Sequence, residues 1–417
     1  MLANGLGSVL GEGDFRRLLI ATTIASLGSG MSPVVITFAV LDTLHSAADL
    51  GIVLAGGELP FVVFLLFGGV LADKVSRRLL MVLGCAGAGA VWLGLAVLML
   101  LFTVNLAELV LITAAWGAIS AITTPTMSGL LPQTVTPERL GNANALRGIT
   151  QSATSIAGPG LAGVLIATTS PGIAVLAMAA CYMSAAGIIA ALRAGRQRGD
   201  AESGILSQLR AGWTEFRSRS WLAGSVTGFS LWHMLVYAQF MIVGALIAKQ
   251  SFGGALAWSA IQACLSAGTL AGGFAALHLR PRRPVIAVML ATAVFSATLF
   301  ALGVRAPLPL VCAACLISGV TVALSNVWWD VTVQANLPNE VLGRVSSYDY
   351  LGSAGLLPVG YMLAGPLAAV AGPAPVLIAG GVAGLIIPLS ICALSSVQKL
   401  TSTPSPRLAT AATTIGK

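Results

Sequence analysis

Glu58 is the outstanding ionisable residue within the long apolar stretches of this sequence. It lies 15 residues before Asp73, about 22 Å along a helix, where a carboxyl group can take up and release a proton. His233 stands at a similar depth, 14 residues or about 21 Å after Arg219, and Tyr237 one turn further on shares its helix face. These residues predict proton exchange. The alternative is that the carboxyl and the imidazole only fix the packing.

The elements that position these residues are apolar segments, and the composition requires them to cross a membrane. Of the 417 residues 57% are hydrophobic and only 9% are charged, against roughly 25% charged in soluble proteins. Twelve segments are long enough to cross a core of about 30 Å as helices, and they are apolar on every face, unlike barrel strands. We predict an all-α integral membrane protein with twelve transmembrane helices near 18–41, 48–72, 79–102, 107–131, 145–168, 172–192, 221–248, 255–279, 285–303, 308–330, 347–370 and 374–396.

The basic residues predict the orientation of these helices. Of the 22 Lys and Arg residues, all but Lys249 and Arg305 fall in inside segments if the N-terminus is inside. The positive-inside rule therefore predicts that both termini are cytoplasmic. Orientation and contact with anionic lipid also explain the net charge of +8 without nucleic acid. The six cysteines all lie in predicted spans, so we expect neither a disulfide framework nor a metal site.

The sequence repeats itself at roughly half its length. Residues 133–141 resemble residues 334–343, and Gly158-Pro159 matches Gly365-Pro366. Two duplicated halves are typical of a transporter that rocks around a central cavity. We predict the following organisation: 1–192, an N-terminal six-helix half; 193–220, a cytoplasmic connector with an amphipathic helix; 221–396, a C-terminal six-helix half; and 397–417, a disordered cytoplasmic tail.

Several motifs resemble those of one transporter family. The stretch G-V-L-A-D-K-V-S-R-R-L-L-M at 69–81 resembles the loop 2–3 signature of the major facilitator superfamily, G-x-L-A-D-R-x-G-R-K-x-x-L, with Ser76 in place of a glycine. The stretch G-P-G-L-A-G at 158–163 is similar to the antiporter signature G-P-x-x-G-G, with Ala162 in place of a glycine. LPQTVTPERLGNANALRG and WWDVTVQANLPNEVLGRVSSYDYLGS resemble the branch of macrolide-efflux and enterobactin-exporter-like proteins, and the resemblance covers essentially the whole chain.

The resemblance implies the major facilitator fold, alternating access and a transporter rather than an enzyme. In this superfamily the loop 2–3 motif latches the cytoplasmic ends of the two halves together. The alternative is that the basic residues of this loop only set the orientation of the helices in the membrane. The predicted latch residues are Gly69, Asp73, Arg77, Arg78 and Arg344. Asp330 lies close to the cytoplasmic end of its predicted span, where it is either a gate residue or an ordinary polar residue at a helix end. Asn326 is a candidate for the cavity. The motif residues Gly158, Pro159 and Gly163 accompany antiporters that export, although helix packing by glycine would give the same pattern.

These patterns together predict an exporter of small amphipathic or hydrophobic compounds, that is, drug or secondary-metabolite efflux. We expect it to use the proton gradient without a cofactor, as a monomer in the cell membrane. No Lys or Arg stands at mid-depth in a predicted span, which argues against a strongly anionic cargo and favours a neutral or cationic lipophile. The alternatives are a proton-coupled importer of a nutrient on the same fold and a non-transporting scaffold or receptor.

Overall fold

The computed structural model of the chain describes residues 9–193, 214, 216–337 and 339–400. It describes all their side chains except those of 65–74, 125, 128, 339–344, 346 and 347. Regular structure in this part of the chain is helical throughout, with no strand. The helices of the first half are α1 Gly13–Thr43, α2 Ala47–Lys74, α3 Arg77–Leu101, α4 Leu106–Leu130, α5 Leu140–Thr168 and α6 Pro171–Ala190. Those that follow are α7 Ser220–Ser251, α8 Ala255–Ala276, α9 Pro284–Gly303, α10 Leu308–Asn336, α11 Asn339–Ala354, α12 Leu357–Ala371, α13 Pro373–Cys392 and α14 Ser395–Gln398.

The described residues contain eleven helices that are long and apolar enough to cross a membrane, which confirms an all-α protein with many spans. The fifth predicted span forms α5 but is not among the eleven. Its first turns carry Arg147, Thr150 and Gln151, and these polar residues lower its hydropathy. The eleventh predicted span, 347–370, is made by α11 and α12 together.

Local sequence signals explain where several helices begin. Asn105 and Glu108 form a reciprocal capping box at the start of α4, with both hydrogen bonds at 3.0 Å. The side chain of Ser170 accepts a hydrogen bond from the Ile173 amide at 3.3 Å, and Pro171 occupies the first position of α6. Caps of this kind satisfy amides that would otherwise lack partners at the end of a helix.

The described chain packs as two compact units. The first consists of 9–193, 242–263 and 361–370, and the second of 214, 216–241, 264–337, 339–360 and 371–400. In the first unit α2 packs on α4, α3 on α6, and α1 on both α5 and α6. In the second unit α9 packs on α10 and α13, and α7 packs on α11.

Two predicted segments fall largely outside the described residues. Of the connector 193–220, the structure describes 193, 214 and 216–220, so the predicted amphipathic helix stays a prediction. The predicted tail 397–417 is described only as far as Leu400. Its first two residues, Val397 and Gln398, form the end of α14.

Candidate transport site

Glu58 lies on α2, where this helix crosses α4. A Cβ atom at Gly117 would collide with the carbonyl oxygen of Gly57, so a glycine is needed for the two backbones to meet. The Thr113 hydroxyl on α4 also donates to the Val53 carbonyl oxygen on α2 at 3.0 Å. The backbone that carries Glu58 is therefore held in place by its neighbouring helix.

The Glu58 side chain is half-buried, and within the described part of the chain it has no hydrogen-bond or ion-pair partner. A neutral carboxyl that fixed the packing would need an acceptor for its O–H. The described contacts supply no such acceptor. Among the described residues they therefore give no support to the packing alternative, and proton exchange at Glu58 stays a prediction.

His233 opens a π-helical turn on α7, His233–Tyr237. Its Nδ1 lies 2.9 Å from the Phe229 carbonyl oxygen, and its ring centroid lies 6.0 Å from that of Tyr237. Trp232 and Phe295 extend this aromatic wall, with 5.2 Å between their ring centroids. Such π turns occur frequently at functional sites because the extra residue redirects side chains.

Asp349 on α11 is an acid that the sequence analysis missed. The Trp329 indole on α10 donates to its Oδ2 at 2.7 Å, and the Ser353 hydroxyl donates to its Oδ1 at 3.4 Å. Trp329 is itself buried and packs edge-on against Phe229, with 5.1 Å between ring centroids. The signal that could have found Asp349 is its place inside the predicted span 347–370, since acids in spans are rare and usually functional.

The structure brings several ionisable residues of the second unit near one another. Asp330 on α10 lies close enough to Asp349 for their charges to interact, and the His233 imidazole interacts with the backbone of Ser353. The Asp330 and Asn326 side chains are both exposed. Helices α7, α10 and α11 thus place a histidine and two acids in one part of the second unit.

The first unit contains a cavity of about 180 Å³ lined by residues of α1, α3, α4, α5 and α6. Its lining is rich in hydroxyl groups, including those of Thr22, Ser26, Thr150 and Tyr182. Among the described residues of this lining, Arg147 is the one that carries a charge. The sequence analysis counted Arg147 among the inside basic residues, near the start of the predicted span 145–168. Because α5 begins at Leu140, the structure places this residue two turns inside the helix.

The two loop 2–3 arginines are engaged within the first unit. The Arg77 guanidinium donates to the Gly129 carbonyl oxygen at the end of α4 at 2.6 Å, and that of Arg78 donates to the Ala190 carbonyl oxygen at the end of α6. Cations at these positions complement the negative ends of the helix dipoles. The side chains of Asp73 and Arg344 lie outside the described residues, as does the surrounding of Gly69, so the latch stays a prediction.

The glycines of the predicted antiporter motif lie at close helix contacts. A Cβ atom at Gly158 would lie 2.6 Å from the backbone of Gly30 on α1, and one at Gly163 would collide with the Ser259 side chain on α8. Pro159 is buried within α5. Packing alone therefore accounts for both glycines, and these contacts do not indicate a direction of transport.

Comparison with known proteins identifies the family. The sequence profile of the Major Facilitator Superfamily matches residues 18–356. The chain belongs to the Major Facilitator Superfamily. Its fold is similar to the crystal structure of the nucleoside transporter NupG, with a TM-score of 0.75 and 13% identity over 91% of this chain and 99% of that one. The predicted family and fold type are therefore confirmed.

Two curated relatives are exporters by name. The chain is 25% identical to the multidrug efflux pump Tap of Mycolicibacterium fortuitum over 379 residues, which cover 87% of this chain and 90% of Tap. It is 28% identical to the enterobactin exporter EntS of Salmonella choleraesuis over 156 residues, which cover 37% of each chain. The resemblance to the efflux branch is confirmed, and the chain is a multi-pass transporter of the cell membrane rather than an enzyme.

Proposed function

We propose that this chain exports small amphipathic or hydrophobic compounds, such as drugs or secondary metabolites, in exchange for protons. The observation that carries the direction is its similarity to an efflux pump over 87% of its length. The observation that supports proton coupling is the half-buried Glu58, which has no described partner. Relatives with the same overall fold move other solutes, so the cargo class rests on the efflux relatives and not on the fold.

The proposed topology has twelve spans with both termini in the cytoplasm. We count α5 as a span in addition to the eleven apolar helices. Its 29 residues give about 43 Å of helix, more than the roughly 30 Å of a hydrocarbon core. A polar helix can span a bilayer when its polar side chains face the protein interior, as those of Arg147 and Thr150 do in the cavity. We propose that the chain acts as a monomer.

In the proposed cycle, Glu58 takes up a proton in the outward-open state and releases it to the cytoplasm. Cargo then enters from the cytoplasm or the inner leaflet, and the halves rock to expose it outside. The Asp73, Arg77, Arg78 and Arg344 latch would hold the cytoplasmic ends together only in the outward-open state. Such a contact, present in one state and absent in the other, is what a two-state switch requires.

Reconstituted vesicles with an imposed proton gradient test the direction and the coupling together. A panel of neutral, cationic and anionic lipophiles is measured on both sides of the membrane, with protein-free vesicles and a protonophore as controls. Export predicts that the cargo moves against the proton flow, and that the protonophore abolishes its gradient. Movement of cargo in the same direction as the protons would indicate the importer alternative. If the proton gradient drives the movement of none of these compounds, the proposal is contradicted.

A further inference from the structure

We propose that the first-unit cavity around Arg147 binds the anionic group, a carboxylate or a phosphate, of an amphiphilic ligand. As a cargo site the proposal rests on the proposed function, but as a binding site it stands without it. Residues of five packed helices of the first unit line the cavity, which is open on one side.

The charge of Arg147 is the first argument. The Arg147 side chain is half-buried where it lines the cavity, and its guanidinium stays protonated. An anion beside a partly desolvated cation stabilises it through charge-assisted hydrogen bonds. Arg139 pairs with Glu12 at 3.0 Å and Lys249 pairs with Asp42 at 2.6 Å. In the described part of the chain, by contrast, no acid pairs with Arg147, and no acid lines the cavity. The anion that this cation needs can therefore come from a ligand.

The remaining polar groups define which ligand atoms the cavity can hold. The Thr22 and Thr150 hydroxyls donate to backbone oxygens of their own helices at 2.8 and 3.0 Å, so they offer oxygen lone pairs to the cavity. The Ser26 hydroxyl and the Gln151 amide have no described partner and can donate to an anion beside Arg147. This set suits an anion that carries neighbouring O–H or N–H groups.

The size and the apolar part of the lining favour an amphiphile. A cavity of about 180 Å³ slightly exceeds the roughly 150 Å³ that accommodates benzene in a protein core. Met81, Cys85 and Met127 line the same cavity, and their side chains suit an apolar ring or chain. The sequence analysis favoured a neutral or cationic cargo because no Lys or Arg stands at mid-depth in a predicted span, Arg147 lying only two residues inside the predicted span 145–168. The structure instead favours a compound with one anionic end.

The test uses a pair of probes that differ in charge and hardly in shape, 1-naphthoate and 1-naphthamide. Binding is measured to the purified full-length protein in nanodiscs of neutral phosphatidylcholine. We expect saturable binding of the naphthoate that is roughly 10- to 100-fold weaker in Arg147→Gln, because charge-assisted hydrogen bonds are lost. Arg147→Lys should restore part of the affinity, and the amide should bind all variants equally weakly.

Arg283→Gln is the matched control, since it removes the same charge from an exposed position on the second unit. It should bind the naphthoate like the wild type. Equal wild-type affinity for the two probes, or unchanged naphthoate binding in a folded Arg147→Gln protein, would overturn the proposal.

A lipid headgroup and a free carboxylate are distinguished by adding phosphatidylglycerol to the nanodiscs. Competition with naphthoate identifies a lipid phosphate as an occupant, and its absence identifies a free anion. Both results support an anion site. Export of neutral compounds without Arg147-dependent binding would overturn this inference and leave the proposed function intact. Arg147-dependent binding without proton-linked export would support this inference and contradict the proposed function.

Discussion

Each unit carries an acid within a predicted span, and these two acids differ in their contacts. In the first unit Glu58 has no described partner, although its helix is fixed by the close contact at Gly117. In the second unit Asp349 accepts hydrogen bonds from Trp329 at 2.7 Å and from Ser353 at 3.4 Å. A carboxyl without a donor breaks no contact when it takes up a proton. A carboxylate that holds an indole N–H weakens a charge-assisted bond when it is protonated.

From this difference we predict a division of roles. Glu58 is suited to carry a proton, because its protonation does not disturb described contacts. Asp349 is suited to sense protonation, because its bond to Trp329 joins α11 to α10. The bases of the first unit show a similar contrast: Arg77 binds a helix end, whereas Arg147 faces the cavity.

The largest effect is expected on stability, when Glu58 and Asp349 are each replaced by leucine. Asp349→Leu leaves the buried Trp329 N–H without its acceptor, which should lower stability by about 1–3 kcal/mol. Glu58→Leu leaves no described donor unsatisfied and should not lower stability. Thermal unfolding of the purified proteins measures both, and Asp349→Asn, which keeps an acceptor oxygen, is the control. Equal destabilisation by the two leucine substitutions would contradict the claim that only Asp349 holds a buried donor.

The second prediction separates the acid of the loop 2–3 motif from its bases. Asp73→Asn should reduce transport roughly 5-fold or more, the lower range for a coupling contact, at unchanged abundance. Arg77→Gln should instead lower stability by about 0.5–1 kcal/mol, because it removes the cation at the end of α4. Cargo flux normalised to abundance separates the two effects. Undiminished flux in Asp73→Asn would exclude the latch.

The smallest effect is expected at the ion pair between Lys249 and Asp42. Both side chains are about one-third exposed, at 31% and 37%, so solvent screens their attraction. Lys249→Gln should cost roughly 0–1 kcal/mol, and the cost should shrink as the salt concentration rises. Thermal unfolding at low and high salt measures this. A loss that is larger and insensitive to salt would show that the pair is more important than its exposure suggests.

The apolar helices could be predicted because the length of an apolar run alone encodes a span. Glu58 and His233 could be found in the same way, since an ionisable residue in such a run is conspicuous. The position of Arg147 in the fold could not be predicted. Hydropathy put the start of the helix at residue 145, which left Arg147 at the inside end of the span, whereas α5 begins at Leu140. Whether a polar residue faces a cavity depends on neighbouring helices that its own segment does not encode.

The partners of Asp349 illustrate the same limit. Its bond to Trp329 joins residues on two helices, and only tertiary packing brings the indole to the carboxylate. The sequence showed the two residue types but not their contact. The packing of Gly158 on Gly30 is similar, because the motif indicates close approach without naming the helix that approaches.

Cargo-dependent proton movement is the most direct test of the central claim that Glu58 couples transport to protons. It is recorded in vesicles that contain equal amounts of wild type, Glu58→Gln or the control Glu138→Gln, whose side chain is exposed on the connection before α5. The account predicts that Glu58→Gln falls to the level of protein-free vesicles while Glu138→Gln matches the wild type. Wild-type proton movement in folded Glu58→Gln would contradict it.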